Sequence, residues 1–189
     1  MSMNGCPAGR PSVYHDSAAF GPRFRLSALT AALLALAPLA AAQEGPREGE
    51  IEFTFGADVR ERMVIPAGAT AQASLVEVSL VITETVSGPM ERMGARCVAL
   101  GHFDTESEAW DGLGNCTWQD AEGDRIFETL EESGTGGAGT GKAVITGGTG
   151  KFAGITGGYD YTLEFAASPG EGHFQWVGHK KGTFRIGTD

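Results

Sequence analysis

Residues 134–165, GTGGAGTGKAVITGGTGKFAGITGGYDYTLEF, decide the fold class of this chain. Glycine pairs flank short apolar segments, and the stretch ends in a run with a large apolar residue at every second position, namely Tyr159, Tyr161, Leu163 and Phe165. Glycine permits tight turns and close backbone approach, whereas a period of two is typical of a β-strand with one buried face. The stretch therefore predicts short β-strands punctuated by glycine turns.

The same stretch contains most of a phosphate-binding loop pattern, which runs from Gly136 to Lys142. Such a loop requires Ser or Thr after the lysine and a helix after the loop. Here Ala143 follows the lysine, and the residues after it favour a strand. The motif GTGK also occurs twice, at 139–142 and 148–151, so we interpret it as a local repeat of turns and not as a nucleotide site.

Short alternating apolar runs continue through the chain after the N-terminal segment, and none has the period of a helix. We count eight such runs, whose predicted inner faces carry Ile51, Phe53 and Phe55; Val76, Val78, Leu80 and Ile82; Cys97 and Phe103; Cys116 and Trp118; Ile126 and Leu130; Ala143 and Ile145; Tyr159, Tyr161, Leu163 and Phe165; and Phe174, Trp176, Phe184 and Ile186. This all-β pattern predicts a closed antiparallel eight-stranded barrel, or else a sandwich. The interior of an eight-stranded barrel is filled by side chains or holds one small ligand.

The N-terminal segment has the features of a secretory signal peptide. Arg23 and Arg25 precede an apolar run at 26–42 that ends in three alanines. A membrane anchor or a buried helix is the alternative, but the run is shorter than the roughly 20 apolar residues that a bilayer span needs. We therefore predict an extension and cleaved leader over 1–42, and a single barrel domain over 43–189 that is secreted or periplasmic and has no membrane span.

The charge balance of the chain is acidic. It carries 14 Lys and Arg against 24 Asp and Glu, a formal net charge of −10 at pH 7, and loss of the predicted leader makes it more acidic still. Such a surface repels nucleic acid and anionic membranes. We therefore expect no nucleic-acid partner.

Two cysteines, Cys97 and Cys116, remain after the predicted cleavage, because Cys6 leaves with the leader. Two cysteines in an exported domain commonly form a disulfide, which here would close a loop of about 20 residues and stabilise the fold by about 3 kcal/mol. Two buried free thiols are the alternative.

The segment GGTGKF at 147–152, followed by GGY at 157–159, resembles the glycine-rich signature of plant dirigent proteins and allene oxide cyclase-like barrels. The strand around Cys116, which leads into the acidic segment at 120–124, is similar to that of the bacterial exported members of this superfamily. The resemblance implies an eight-stranded antiparallel barrel with a hydrophobic central cavity, and often a homo-oligomer. It also implies that the cavity can steer cyclisation or coupling without a cofactor, as in the plant members.

Two charged residues lie on predicted apolar faces, Glu128 on the fifth run and Lys180 on the eighth. A charge on an apolar face is costly unless it is paired, so we take the two as candidate catalytic residues inside a cavity. Trp118, Tyr161 and Trp176 are the predicted ligand-binding residues of that cavity. The alternative is a bulge that turns one charge outward, or a position at the rim of the barrel.

No metal or cofactor is expected. His173 and His179 would be about 20 Å apart on one regular strand, and the acidic segment at 120–124 is followed by Arg125 where a calcium loop needs glycine. We interpret that segment as a β-turn with solvated carboxylates.

Three functions remain open from the sequence. The first is binding of a small apolar or aromatic molecule in the barrel. The second is a cofactor-free cyclase or isomerase of the allene oxide cyclase or dirigent type, and the third is a structural protein of the cell envelope.

Overall fold

The computed structural model describes residues 47–187, in which eight strands close into an antiparallel barrel. Each strand pairs with the next one along the chain, and the last pairs with the first. The strands are β1 (Arg47–Pro66), β2 (Ala71–Ser87), β3 (Gly94–Asp104), β4 (Ala109–Gln119), β5 (Arg125–Thr135), β6 (Ala138–Gly148), β7 (Ile155–Gly170) and β8 (His173–Ile186). The predicted closed barrel is confirmed, and the alternative of a sandwich is wrong. The predicted leader at 1–42 lies outside the described residues.

The eight apolar runs of the sequence are the eight strands, and burial alternates along most of them as the period of two predicts. In β1, for example, Ile51, Phe53 and Phe55 are at most 2% exposed, while the residues between them are partly exposed. Phe103 and Phe165 are exceptions, since both are predicted to face inward but are 39% and 43% exposed near the open end. Alternate side chains of a strand point to opposite faces, so one face of each strand fills the barrel and the other meets solvent.

One end of the barrel is closed, and we call it the closed end. It carries the connections 88–93, 120–124 and 149–154. Met90 and Met93 from the first connection and Phe152 from the third are buried there. They pack with inward side chains of the strands, namely Ile51, Phe53, Ala95, Trp118, Ile126, Ile145, Ile155 and Tyr159.

A 3-10 turn, Gly150–Phe152, contains the lysine of the second GTGK motif. The Lys151 ammonium lies 2.7 Å from Asp120 Oδ2 and 2.5 Å from Glu122 Oε2, and its backbone N–H donates to Asp124 Oδ2. The hydrogen bonds to these two carboxylates raise the pKa of Lys151, and the bond to Asp120 has the largest effect. Gly150 has a φ of 56°, and a Cβ there would overlap the Asp124 carboxylate. The second GTGK motif therefore fixes the acidic turn at 120–124. The Lys151 ammonium occupies the space between carboxylates whose spacing resembles that of calcium ligands.

The second glycine pair of the repeat does not form a turn, contrary to our expectation. Gly157 and Gly158 lie inside β7, opposite Phe184 and Thr183 of β8. A Cβ on Gly157 would overlap the carbonyl oxygen of Thr183. The glycines therefore allow the two backbones to approach closely, which a sequence pattern of glycine pairs does not distinguish from a turn.

The predicted disulfide is present. Cys97 and Cys116 are register partners on β3 and β4, with Cα atoms 4.1 Å apart, and both face the barrel interior. Within residues 47–187, no helix has the length and apolar character of a bilayer span.

Candidate functional site

The other end of the barrel, which we call the open end, holds a cavity of about 660 Å³. This end carries the connections 67–70, 105–108, 136–137 and 171–172. The cavity lies between the inner faces of the strands, and its lining includes residues of the connections at 105–108 and 136–137. Its volume is within the range of about 300–1,000 Å³ that is typical of small-molecule sites.

Several inward positions near the open end carry small residues, which leave space beside the larger side chains there. Ala57, Ala99, Gly101 and Gly112 line the cavity, whereas the corresponding inward positions near the closed end carry large side chains such as Phe53. Small side chains at these positions leave space of the kind that large side chains fill at the closed end.

Aromatic rings form one wall of the cavity. The Trp176 ring packs edge to face against Trp110, with centroids 5.5 Å apart, and against Phe165, with centroids 5.6 Å apart. Trp110 is fixed further by its indole N–H, which donates to the carbonyl oxygen of Gly136 at 3.2 Å. The wall is therefore an ordered apolar surface on which a flat or aromatic molecule could stack.

Lys180 forms the floor of the cavity, and its side chain is 2% exposed. Its ammonium lies over four aromatic rings, at 4.6 Å from the Tyr159 centroid, 5.0 Å from Tyr161, 5.1 Å from Trp118 and 5.3 Å from Phe55. It also donates to the Tyr159 hydroxyl at 3.4 Å. Cation–π attraction to these rings offsets part of the cost of burying the charge.

Glu128 is the charged partner of Lys180. The ammonium donates to Glu128 Oε1 at 3.1 Å, and both side chains are buried. The register between β5 and β6 does shift next to Glu128, but the extra residue, Thr146, is on β6. Glu128 therefore keeps the inward face that its parity predicts, and the structure brings the two candidate catalytic residues together.

A second polar pair, Glu132 and Tyr161, lies on the cavity wall. The Tyr161 hydroxyl donates to Glu132 Oε2 at 2.9 Å, and both residues line the cavity. Burial raises the pKa of Glu132, although Tyr161 and the charge of Lys180 act in the opposite direction. Burial also raises the pKa of Tyr161. Glu132 was not among the predicted site residues, although it has the same parity as Glu128.

The three predicted ligand-binding residues lie at different depths. Tyr161 and Trp176 line the cavity, but Trp118 is fully buried in the packed half and is not part of the lining. Trp118 is nearer the closed end, where Phe53 packs against it at 5.6 Å between centroids. It borders the site only through the ammonium of Lys180.

The histidines of β8 lie beside carboxylates of β1 at the barrel surface. His173 Nε2 lies 2.5 Å from Asp58 Oδ2, and His179 Nε2 lies 3.2 Å from Glu52 Oε1. In the described part of the chain, no group of three or more His, Cys, Asp or Glu side chains is arranged to hold a metal ion.

The chain matches no family model and no curated protein. Among solved structures, it is similar to a pterocarpan synthase dirigent protein, with 12% sequence identity and a TM-score of 0.40 over 80% of this chain and 98% of that one. A likeness at this level assigns no activity or ligand to this chain. The relation to allene oxide cyclase-like barrels and to bacterial exported members stays a prediction.

Proposed function

We propose that this protein binds one small apolar or aromatic molecule in the cavity at its open end. The observation that carries the proposal is the cavity itself, of about 660 Å³, with the ordered aromatic wall of Trp110, Trp176 and Phe165. Ligand pockets are mostly apolar concavities with a few placed polar groups. Here Lys180, Glu132 and Tyr161 are those groups.

We also propose that the protein acts outside the cytoplasm, either secreted or in the periplasm. The Cys97–Cys116 disulfide supports this location, because disulfides persist in oxidising compartments. The signal peptide predicted at 1–42 would direct the chain there. Homo-oligomerisation, which the family resemblance implies, stays a prediction.

Filling the cavity is expected to abolish ligand binding. Val76 faces the cavity from β2, and tryptophan at this position would occupy the space that a ligand needs. The matched control is Val98→Trp, because Val98 is close to Val76 on the neighbouring strand β3 but is 56% exposed on the outer face. The measurement is native mass spectrometry of the purified protein against a panel of small apolar and aromatic molecules.

We expect Val98→Trp to retain one bound molecule per chain, as the wild-type protein does, and Val76→Trp to lose it. Equal binding by both variants would place the ligand outside the cavity. Thermal unfolding of each variant checks that Val76→Trp still folds, and the smaller change Val76→Phe serves if it does not.

A cofactor-free cyclase or isomerase is the second candidate function. The observation that favours it is the pair of proton-carrying groups on the cavity wall, Glu132 and Tyr161, beside the charged floor of Lys180 and Glu128. Burial raises the pKa of the Glu132 carboxyl, which makes it better suited to carry a proton than an exposed carboxylate. Product that accumulates beyond one equivalent of protein distinguishes catalysis from binding.

A further inference from the structure

The charges around the cavity are unbalanced. Glu61 from β1, Glu108 from the connection 105–108 and Glu132 from β5 all line it, and Lys180 is the only lysine or arginine of the described chain that does. Asp111 and His102 also line it, and Asp111 Oδ1 lies 3.1 Å from His102 Nδ1. A molecule that enters the cavity therefore meets mainly negative side chains.

The charge of Lys180 is already compensated. Its ammonium is hydrogen-bonded to Glu128 at 3.1 Å and surrounded by four ring faces. A ligand carboxylate could bind Lys180 strongly only by displacing Glu128, which would leave a second buried charge without a partner. Breaking a buried ion pair in this way is strongly unfavourable.

The three glutamates that line the cavity are less compensated, although the charge of Lys180 acts on Glu132 and opposes the rise of its pKa. Within residues 47–187, no lysine or arginine forms an ion pair with Glu61, Glu108 or Glu132, and the hydrogen-bond donor to Glu132 is the neutral hydroxyl of Tyr161. Glu108 is also held at a φ of 56°, which is uncommon for a residue other than glycine.

An unused acceptor lies below the floor. Glu128 is 2% exposed, and its Oε2 has no hydrogen-bond partner in the described part of the chain. Buried polar atoms are normally hydrogen-bonded, so this oxygen is an acceptor that the described residues leave without a donor. The indole N–H of Trp118, which also lies below the floor, has no acceptor in the described part of the chain.

The aromatic wall favours the same kind of partner. The faces of Trp, Tyr and Phe attract organic cations, and the attraction grows when water is excluded. Trp110, Trp176 and Phe165 supply such rings beside Glu132 and Glu108. Aromatic faces and uncompensated carboxylates together form a site for a cation with an apolar body.

We propose that the cavity selects apolar or aromatic molecules that carry a cationic amine, and that it discriminates against carboxylates of the same shape. This inference rests on the proposed ligand-binding function and specifies the chemical class of the ligand. Glu132 is the residue expected to contribute most to the selection, because the Tyr161 hydroxyl fixes its carboxylate on the cavity wall at 2.9 Å.

The test uses three probes with one indole body: tryptamine, which is cationic, tryptophol, which is neutral, and indole-3-propionate, which is anionic. Their dissociation constants are measured at pH 7.5 and low salt by isothermal titration calorimetry. We expect tryptamine to bind at least about tenfold more tightly than indole-3-propionate, which corresponds to about 1.4 kcal/mol. Tryptophol should lie between them.

Glu132→Gln should weaken tryptamine binding by about tenfold and leave tryptophol nearly unchanged. The matched control is Glu131→Gln, which removes the same charge from the adjacent, exposed position on the outer face and should change neither constant. If the three probes bind equally, or indole-3-propionate binds best, the charge selection is wrong while the binding function stands. If none of the probes binds, the proposed function fails as well.

Discussion

Replacement of Lys180 by methionine is expected to destabilise the barrel by about 3–5 kcal/mol. The substitution keeps most of the volume but removes the ammonium that lies 3.1 Å from Glu128 Oε1, in a site where both side chains are buried. Glu128 would then be a buried carboxylate without a charged partner, with one oxygen already unpaired. A loss of this size is a large part of the roughly 5–15 kcal/mol that stabilises a typical domain. Urea unfolding at pH 7 measures it.

The double variant Lys180→Met/Glu128→Leu provides the control. Replacing a buried ion pair by apolar side chains of similar size is often neutral or stabilising. We therefore expect the double variant to recover most of the lost stability, even if Lys180→Met alone is too unstable to purify. A single variant as stable as the wild type, or a double variant no more stable than the single one, would show that the pair contributes little.

Removal of the disulfide is expected to cost about 2–5 kcal/mol. Cys97 and Cys116 join neighbouring strands at a sequence separation of 19, and the bond restricts the unfolded chain. The variant is Cys97→Ala/Cys116→Ala, and the measurement is the free energy of unfolding in urea. Alanine avoids placing a new polar group in the interior.

The reductant-treated wild-type protein is the matched control for this variant. Its stability should fall to that of the double alanine variant, whereas reductant should leave the variant unchanged. If the wild-type protein carries two free thiols after reduction and its stability is the same as before, the disulfide does not stabilise the fold.

The strands could be predicted from the sequence because their signal is local. Alternation of apolar residues defines both the strand and its buried face, as Ile51, Phe53 and Phe55 show. Closure of the barrel follows less directly, since the same runs are compatible with a sandwich. The glycine pair at 157–158 favours a turn and a close strand approach alike in the sequence, and only the structure shows that it lies inside β7.

The candidate site could be predicted only in part, because periodicity gives the face of a residue but not its depth. Parity alone identified Glu128 and Lys180 as inward charges. Their contact across the barrel depends on the registers between strands, which the sequence does not specify. For the same reason, the sequence does not distinguish Trp118, which lies below the floor, from residues that line the cavity, and it does not single out Glu132, which shares the parity of Glu128.

The central claim is that the open half of the barrel is a ligand site, and the position of a bound molecule tests it most directly. Crystals of the protein grown with 5-bromotryptamine would locate the bromine by its anomalous scattering. We predict one strong bromine peak between the Trp110 and Trp176 wall and the Lys180 floor. A cavity without bromine at saturating probe, with peaks only on the outer face of the barrel, would contradict the account.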